Sequence, residues 1–188
     1  SEMCIRDRHI YRYAPFMEFL AENGFVVVAN DHLGHGKTAE NEQELCFFAE
    51  KDGWNDVVGD MDTLHKLTAA KYPGVPYFLF GHSMGSFLTR TYIIDHPEGL
   101  KGVVISGTGQ NPGAVVAAGK LMAKLEMIDN GPMYHSPTLD KLAFGSYNKK
   151  YDHVRTKLDW LTRDEAVVDA YIAVSYTHLR AHETGRNL

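Results

Sequence analysis

Five residues with the pattern Gly-x-Ser-x-Gly, running from Gly81 to Gly85, are the part of this sequence best suited to chemistry. They follow the short apolar run 77–80 and precede segment 84–96, in which apolar residues recur at helical spacing. A serine between a buried strand and a helix, flanked by glycines that let the two elements approach closely, is the signature of a nucleophile elbow. We therefore predict that Ser83 is a catalytic nucleophile whose hydroxyl is raised above the edge of a sheet.

The predicted elbow also provides hydrogen-bond donors for a developing negative charge. A helix beginning at Met84 points its first backbone N–H groups at the site, which favours a developing oxyanion, and the Met84 N–H is the expected first donor. An unactivated serine is a weak nucleophile, so a histidine must accept its proton. His82 adjoins Ser83 in sequence, but adjacent side chains diverge at such a turn, so we predict a packing role for it. This chemistry requires no cofactor.

The elements around this motif alternate between helix and strand. Because a βαβα order produces a parallel sheet with covering helices, the pattern predicts an α/β fold. The strands lack polar alternation, which is typical of strands buried on both faces. The predicted elements are a helix over 15–23, a strand over 25–29, a helix over 54–71, a strand over 77–80, a helix over 84–96 and a strand over 103–105.

The pattern changes after Gly107, where a Gly- and Pro-containing linker begins. Segment 114–128 has helical spacing, and Thr162 with Glu165 has the spacing of a capping box that would open a further helix. We therefore predict two native regions: a truncated core over 9–107 and a mostly helical cap over 108–173.

The two ends of the chain are related to each other at the level of codons. Residues 1–7 can be encoded by TCG GAG ATG TGT ATA AGA GAC, whose reverse complement translates to residues 174–180. Both segments resemble translations of a transposon-end sequencing adapter read in opposite directions. We therefore predict that 1–8 and 174–188 are non-native, adapter-like segments, which are set aside in reasoning about the fold.

Composition excludes several classes of protein. The chain has 188 residues, a net charge of −5 and 44% hydrophobic residues, which is an ordinary balance for one globular domain. No basic cluster offers a footprint for nucleic acid, and no apolar run reaches the length of a transmembrane segment. Two cysteines, Cys4 and Cys46, do not suggest a disulfide framework, so we expect a cytoplasmic protein.

Two stretches of the sequence resemble motifs of a known family. Residues 80–85, Phe-Gly-His-Ser-Met-Gly, and residues 30–38, Asn-Asp-His-Leu-Gly-His-Gly-Lys-Thr, resemble motifs of the monoacylglycerol lipase and lysophospholipase branch of the α/β-hydrolases, which is grouped with serine aminopeptidase-like hydrolases. The resemblance implies an α/β-hydrolase fold, here a partial, mostly parallel sheet flanked by helices, with a helical cap insertion. It also implies hydrolysis of carboxylic esters, with acylglycerols or lysophospholipids as small-molecule substrates. Leu33 and Ser86 depart from residues common in that family, arginine and glycine respectively.

The loop 30–38 contains three potential metal ligands, Asp31, His32 and His35. Because the loop matches a structural turn of that family and no further ligand set is apparent, we predict no metal site there.

The same resemblance places the catalytic acid and histidine after residue 173, and a loop that supplies the second oxyanion N–H before residue 9. We therefore expect this chain to be inactive alone. Two alternatives stay open: an aminopeptidase of the same fold, which would need an acidic group for the substrate amine, and a non-catalytic binding protein built on the same scaffold. The sequence predicts neither the oligomeric state nor the acyl-chain length.

Overall fold

A computed structural model describes residues 2–5, 10–41, 44–134 and 136–173. The chain divides into two compact units, Ser1–Gln110 and Asn111–Leu188.

The first unit is an α/β structure with a four-stranded sheet in the order β2-β1-β3-β4, in which every pairing is parallel. This confirms the predicted fold class of helices flanking a parallel sheet. Its helices and strands, in chain order, are β1 Glu2–Ile5, α1 Ala14–Glu22, β2 Val28–Ala29, α2 Gly53–Lys71, β3 Tyr77–His82, α3 Met84–Asp95 and β4 Leu100–Ser106.

Strand β1 was not predicted, because it lies in the segment that the sequence assigns to an adapter. Met3 is in register with Ala29 of β2 on one side and with Phe80 of β3 on the other. A parallel ladder forms through backbone N–H and C=O groups that almost any residue carries, so this pairing does not reveal the origin of the segment. The non-native origin of 1–8 therefore stays a prediction, and 174–188 lie outside the described residues.

Strand β2 is shorter and more exposed than predicted. The described strand is Val28–Ala29, and the preceding Phe25 and Val26 are 47% and 38% exposed. The prediction of a strand over 25–29 buried on both faces was wrong. The physical reason is the sheet order, because β2 ends the described sheet and has a neighbour on one side only.

The core of the first unit lies where α2 and α3 pack against β3. The buried apolar side chains that form it are Val57, Val58, Met61, Leu79, Leu88 and Tyr92. Not every apolar residue of these helices is buried, because Leu67 of α2 and Phe87 of α3 are 65% and 40% exposed. In α3 the buried face instead includes small residues, Gly85, Ser86 and Thr89, which let the helix lie close to the sheet.

The second unit is mostly helical among its described residues. Its helices are α4 Gly113–Asn130, α5 Pro137–Phe144 and α6, which is helical over the described residues 165–173. Three aromatic rings pack together beside α5: Trp160 stacks on Phe144 at 6.1 Å and meets Tyr147 edge-on at 4.8 Å.

The predicted cap of α6 was wrong by two residues. The carboxylate of Asp164 accepts the N–H groups of Ala166 and Val167 at 3.0 and 3.3 Å, so Asp164 caps the helix. The Thr162 hydroxyl instead accepts the Asp164 N–H at 3.2 Å.

The described residues contain no helix that is both long enough and apolar enough to cross a bilayer.

We expect Leu88→Ala to lower the free energy of unfolding by about 2–5 kcal/mol, because it opens a cavity at a side chain with no exposed surface. Leu67→Ala is the matched control on a neighbouring helix and should change stability by less than about 1 kcal/mol, because Leu67 is 65% exposed. Urea unfolding followed by circular dichroism measures both. Equal losses in the two variants would contradict the assigned core.

Candidate functional site

The predicted nucleophile lies at an abrupt turn between β3 and α3. Strand β3 ends at His82, helix α3 begins at Met84, and the single residue between them, Ser83, has φ 53° and ψ −118°. A positive φ is uncommon for any residue but glycine and costs about 1–3 kcal/mol, which surrounding structure must offset. Ser83 therefore stands at the carboxyl end of a parallel strand, where α/β sheets place their ligands.

Gly81, which precedes this turn, is required because there is no room for a side chain at this position. A Cβ added to Gly81 would lie 2.5 Å from the Gly85 carbonyl oxygen and closer still to the Thr89 hydroxyl. Helix α3 thus crosses directly over the end of β3, and only a residue without a side chain fits between them.

Two serines hold the turn from either side. The last residue of β4, Ser106, accepts the Ser83 N–H at its carbonyl, with a distance of 3.0 Å. On the helix side, Ser86 donates both its backbone N–H (2.9 Å) and its hydroxyl (2.5 Å) to the Ser83 carbonyl. Sequence reasoning missed both roles. For Ser86, the available signal was a hydroxyl three residues after an expected turn, at a spacing that allows a hydrogen bond back to the backbone.

His82 contacts β4. Its Nδ1 lies 3.1 Å from the Ser106 hydroxyl, and its ring lies 6.4 Å from the ring of Tyr13. This placement agrees with a packing role. Among the described residues, no hydrogen bond to the Ser83 hydroxyl is present.

Asp31, the first of the three potential metal ligands in loop 30–38, is held by hydrogen bonds from backbone N–H groups. Its two carboxylate oxygens accept the backbone N–H groups of Ile10 at 2.8 Å and Lys37 at 3.0 Å. Because both oxygens of its carboxylate accept backbone N–H groups, Asp31 has a structural role in this loop. Within the described part of the chain, no group of three or more metal-ligating side chains is placed to hold a metal ion.

The histidine that follows is buried. His32 is 1% exposed, and no described residue forms a hydrogen bond with either of its ring nitrogens. Burial, with a smaller contribution from the nearby His35, lowers the pKa of His32 to about 4, and the Asp31 charge offsets only part of this. His32 is therefore neutral at physiological pH.

Comparison with known proteins identifies the family. The sequence model of the family described as "Serine aminopeptidase, S33" matches residues 6–183. This chain belongs to that family of α/β-hydrolases. The matched range includes part of each predicted adapter-like segment, 1–8 and 174–188. The match does not test whether those segments are native.

Named relatives of this S33 chain are lipases and esterases. It is 30% identical over 146 residues to a monoglyceride lipase homolog of Monkeypox virus, covering 78% of the chain and 49% of the relative. It is 30% identical over 122 residues to a monoacylglycerol lipase of Mycolicibacterium smegmatis, covering 62% of the chain and 41% of the relative.

A solved structure with the same fold is a thermostable carboxyl esterase from Bacillus coagulans in complex with glycerol. Its TM-score is 0.79 with 28% sequence identity, over 92% of this chain and 55% of the esterase. The S33 chain thus spans about half the length of the curated relatives it matches.

We expect Gly81→Ala to destabilise the first unit by about 1–3 kcal/mol or to prevent folding, because the new methyl group overlaps the Gly85 carbonyl. Gly59→Ala is the matched control in α2. No atom lies within 4 Å of the methyl group it would add, so we expect a gain of roughly 0.5–1 kcal/mol. Thermal unfolding of both variants tests this, and a Gly81→Ala protein as stable as wild type would refute the close crossing.

We expect stability to fall as the pH is lowered through the window set by His32. The unfolded chain binds a proton at this ring below pH 6.5, whereas the folded chain does so only near pH 4. Between pH 7 and pH 5 this group should remove about 2 kcal/mol from the free energy of unfolding. Urea titrations of wild type and His32→Leu should show a pH dependence smaller by that amount in the variant.

Identical pH slopes in wild type and His32→Leu would contradict the assignment.

Proposed function

We propose that the full-length protein hydrolyses carboxylic esters of the acylglycerol or lysophospholipid type, through an acyl-enzyme formed on Ser83. The observation that carries this proposal is the backbone of Ser83, held at positive φ between the end of β3 and the start of α3. A serine in an elbow of this kind presents its hydroxyl to a substrate carbonyl.

The chemistry uses two groups of this chain. The Ser83 hydroxyl oxygen attacks the acyl carbonyl, and its proton passes to a histidine base. The Met84 N–H, which belongs to the first helical turn and has no intrahelical acceptor, donates to the oxyanion. Collapse of the intermediate expels the alcohol, which takes up the proton from the histidine, and water then cleaves the acyl-enzyme.

We further propose that the acid and the histidine come from the part of the full-length protein that this chain does not include. Two observations support this. The Ser83 hydroxyl has no hydrogen-bond partner among the described residues, and the matched relatives are about twice as long as the region they share with this chain. On this view the 188-residue chain positions its nucleophile but does not activate it.

The substrate class rests on the relatives. Two of them are named for monoglyceride or monoacylglycerol hydrolysis, and the solved esterase holds glycerol, the alcohol that such a reaction releases.

The decisive experiment uses the full-length protein with a fluorophosphonate probe and with matched chromogenic fatty-acyl and aminoacyl substrates. We expect labelling at Ser83, preference for the fatty-acyl substrate, and a loss of kcat of at least about 10⁴-fold in Ser83→Ala. Preference for the aminoacyl substrate would indicate an aminopeptidase. Absence of labelling would indicate a non-catalytic role.

For the 188-residue chain alone, we expect hydrolysis of short acyl esters to be equal in wild type and Ser83→Ala, because removal of the base abolishes most activation of the nucleophile. The free energies of unfolding of the two proteins serve as the control for folding. Ser83-dependent turnover by the chain alone would show that its own residues complete the triad.

A further inference from the structure

The peptide group that joins Ser83 to Met84 has two parts in the proposed reaction. Its carbonyl belongs to the strained residue Ser83, and its N–H belongs to Met84, the expected oxyanion donor. A peptide group is planar and almost always trans, so its C=O and N–H bonds point in opposite directions. The direction of the Ser83 carbonyl therefore sets the direction of the Met84 N–H.

Ser86 supplies two hydrogen-bond donors to this carbonyl. Its backbone N–H lies 2.9 Å and its hydroxyl oxygen 2.5 Å from the Ser83 carbonyl oxygen. A carbonyl oxygen can only accept, so the Ser86 hydroxyl donates its proton there. Ser86 is 0% exposed, so solvent water does not compete for this hydroxyl.

The backbone of Ser83 makes such a restraint necessary. A residue at φ 53° and ψ −118° can relieve its strain by rotating the peptide group that follows it. The hydrogen bond from the Ser83 N–H to the Ser106 carbonyl, at 3.0 Å, holds the peptide group that precedes Ser83. The peptide group that follows is held at its carbonyl by Ser86.

The hydroxyl adds something that the backbone at position 86 cannot. Glycine, which is common at this position in the family, could donate only through its N–H. A second donor narrows the directions open to the carbonyl. It also polarises the peptide group, which strengthens the Met84 N–H as a donor on the opposite side.

We propose that Ser86 is a positioning residue for the oxyanion donor. Its hydroxyl holds the Ser83 carbonyl, and through the rigid peptide group it keeps the Met84 N–H directed at the oxyanion. Ser86 itself touches neither the substrate nor the reacting atoms. This inference rests on the proposed function, because an oxyanion forms only if Ser83 attacks an acyl carbonyl.

The first measurement is steady-state hydrolysis of the chromogenic fatty-acyl ester by the full-length protein and its Ser86→Ala and Ser86→Gly variants. Acylation and deacylation both pass through an oxyanion, so kcat falls whichever step is limiting. We expect kcat to fall about tenfold in both variants, with KM changed less than about twofold. Loss of an oxyanion donor outright costs about 10²–10³-fold, and here the donor is retained but less well held.

The second measurement separates positioning from a general loosening of the site. A fatty-acyl trifluoromethyl ketone is attacked by the Ser83 hydroxyl oxygen, the proton passes to the histidine base, and the carbonyl electrons move to the oxygen, which becomes an oxyanion. A monoalkylglycerol ether of the same chain length has no carbonyl to attack. We expect the inhibition constant of the ketone to rise about tenfold in both variants and that of the ether to stay unchanged.

Thr68→Ala is the matched control, because the buried Thr68 hydroxyl also donates to a backbone carbonyl, that of Leu64 in α2, at 2.7 Å. Its kcat and both inhibition constants should stay within about twofold of wild type. Circular dichroism verifies folding, and the ketone and ether constants of Ser86→Gly decide if Ser86→Ala does not fold.

The outcomes separate this inference from the proposed function. A wild-type protein without Ser83-dependent hydrolysis would remove both. Hydrolysis by wild type with an unchanged kcat in Ser86→Ala would overturn the positioning role alone. A loss confined to Ser86→Gly, the weaker helix former, would do the same, as would equal weakening of ketone and ether binding.

Discussion

The strained turn at Ser83 is the constraint to which the first unit is adapted. A residue at φ 53° between a strand and a helix must be held there by its neighbours, and the structure does this from both sides. Ser106 fixes the amide of the turn to the end of β4, and Ser86 fixes its carbonyl inside α3. The glycine at position 81 then lets the helix cross directly over the strand.

The close crossing also explains the composition of the core. Where α3 lies over the strand ends, its buried residues Gly85 and Ser86 are small, whereas the large buried side chains, Leu88 and Tyr92, lie further along the helix. Packing density is therefore recovered away from the site, where Met61 of α2 and Leu79 of β3 complete the apolar cluster. Local strain at one residue is offset by burial several ångströms away.

The loop after β2 shows a second way of tolerating unfavourable contacts. His32 is buried, and neither of its ring nitrogens has a hydrogen-bond partner among the described residues. The neighbouring Asp31 carboxylate and the Nδ1 of His35 are held by backbone groups. The hydrogen bonds of Asp31 and Thr38 hold the loop closed around His32. The same enclosure orients the His35 ring, whose Nδ1 lies 2.9 Å from the Leu33 carbonyl oxygen.

The sequence by itself determined the features that depend on neighbours along the chain. The elbow, helices α1 to α4 and the position of β3 follow from spacing within about 20 residues, because glycine conformation and helical periodicity are local properties. The predicted burial of β3 on both faces was wrong at Phe78, which is 38% exposed. Tertiary structure alone decided the exposure of Phe25 and Leu67, the partners of Ser86 and Ser106, and the burial of His32 and His35. These depend on which strand lies at the end of the sheet and on how loops return to it. No periodicity within one element encodes the order in which the elements assemble.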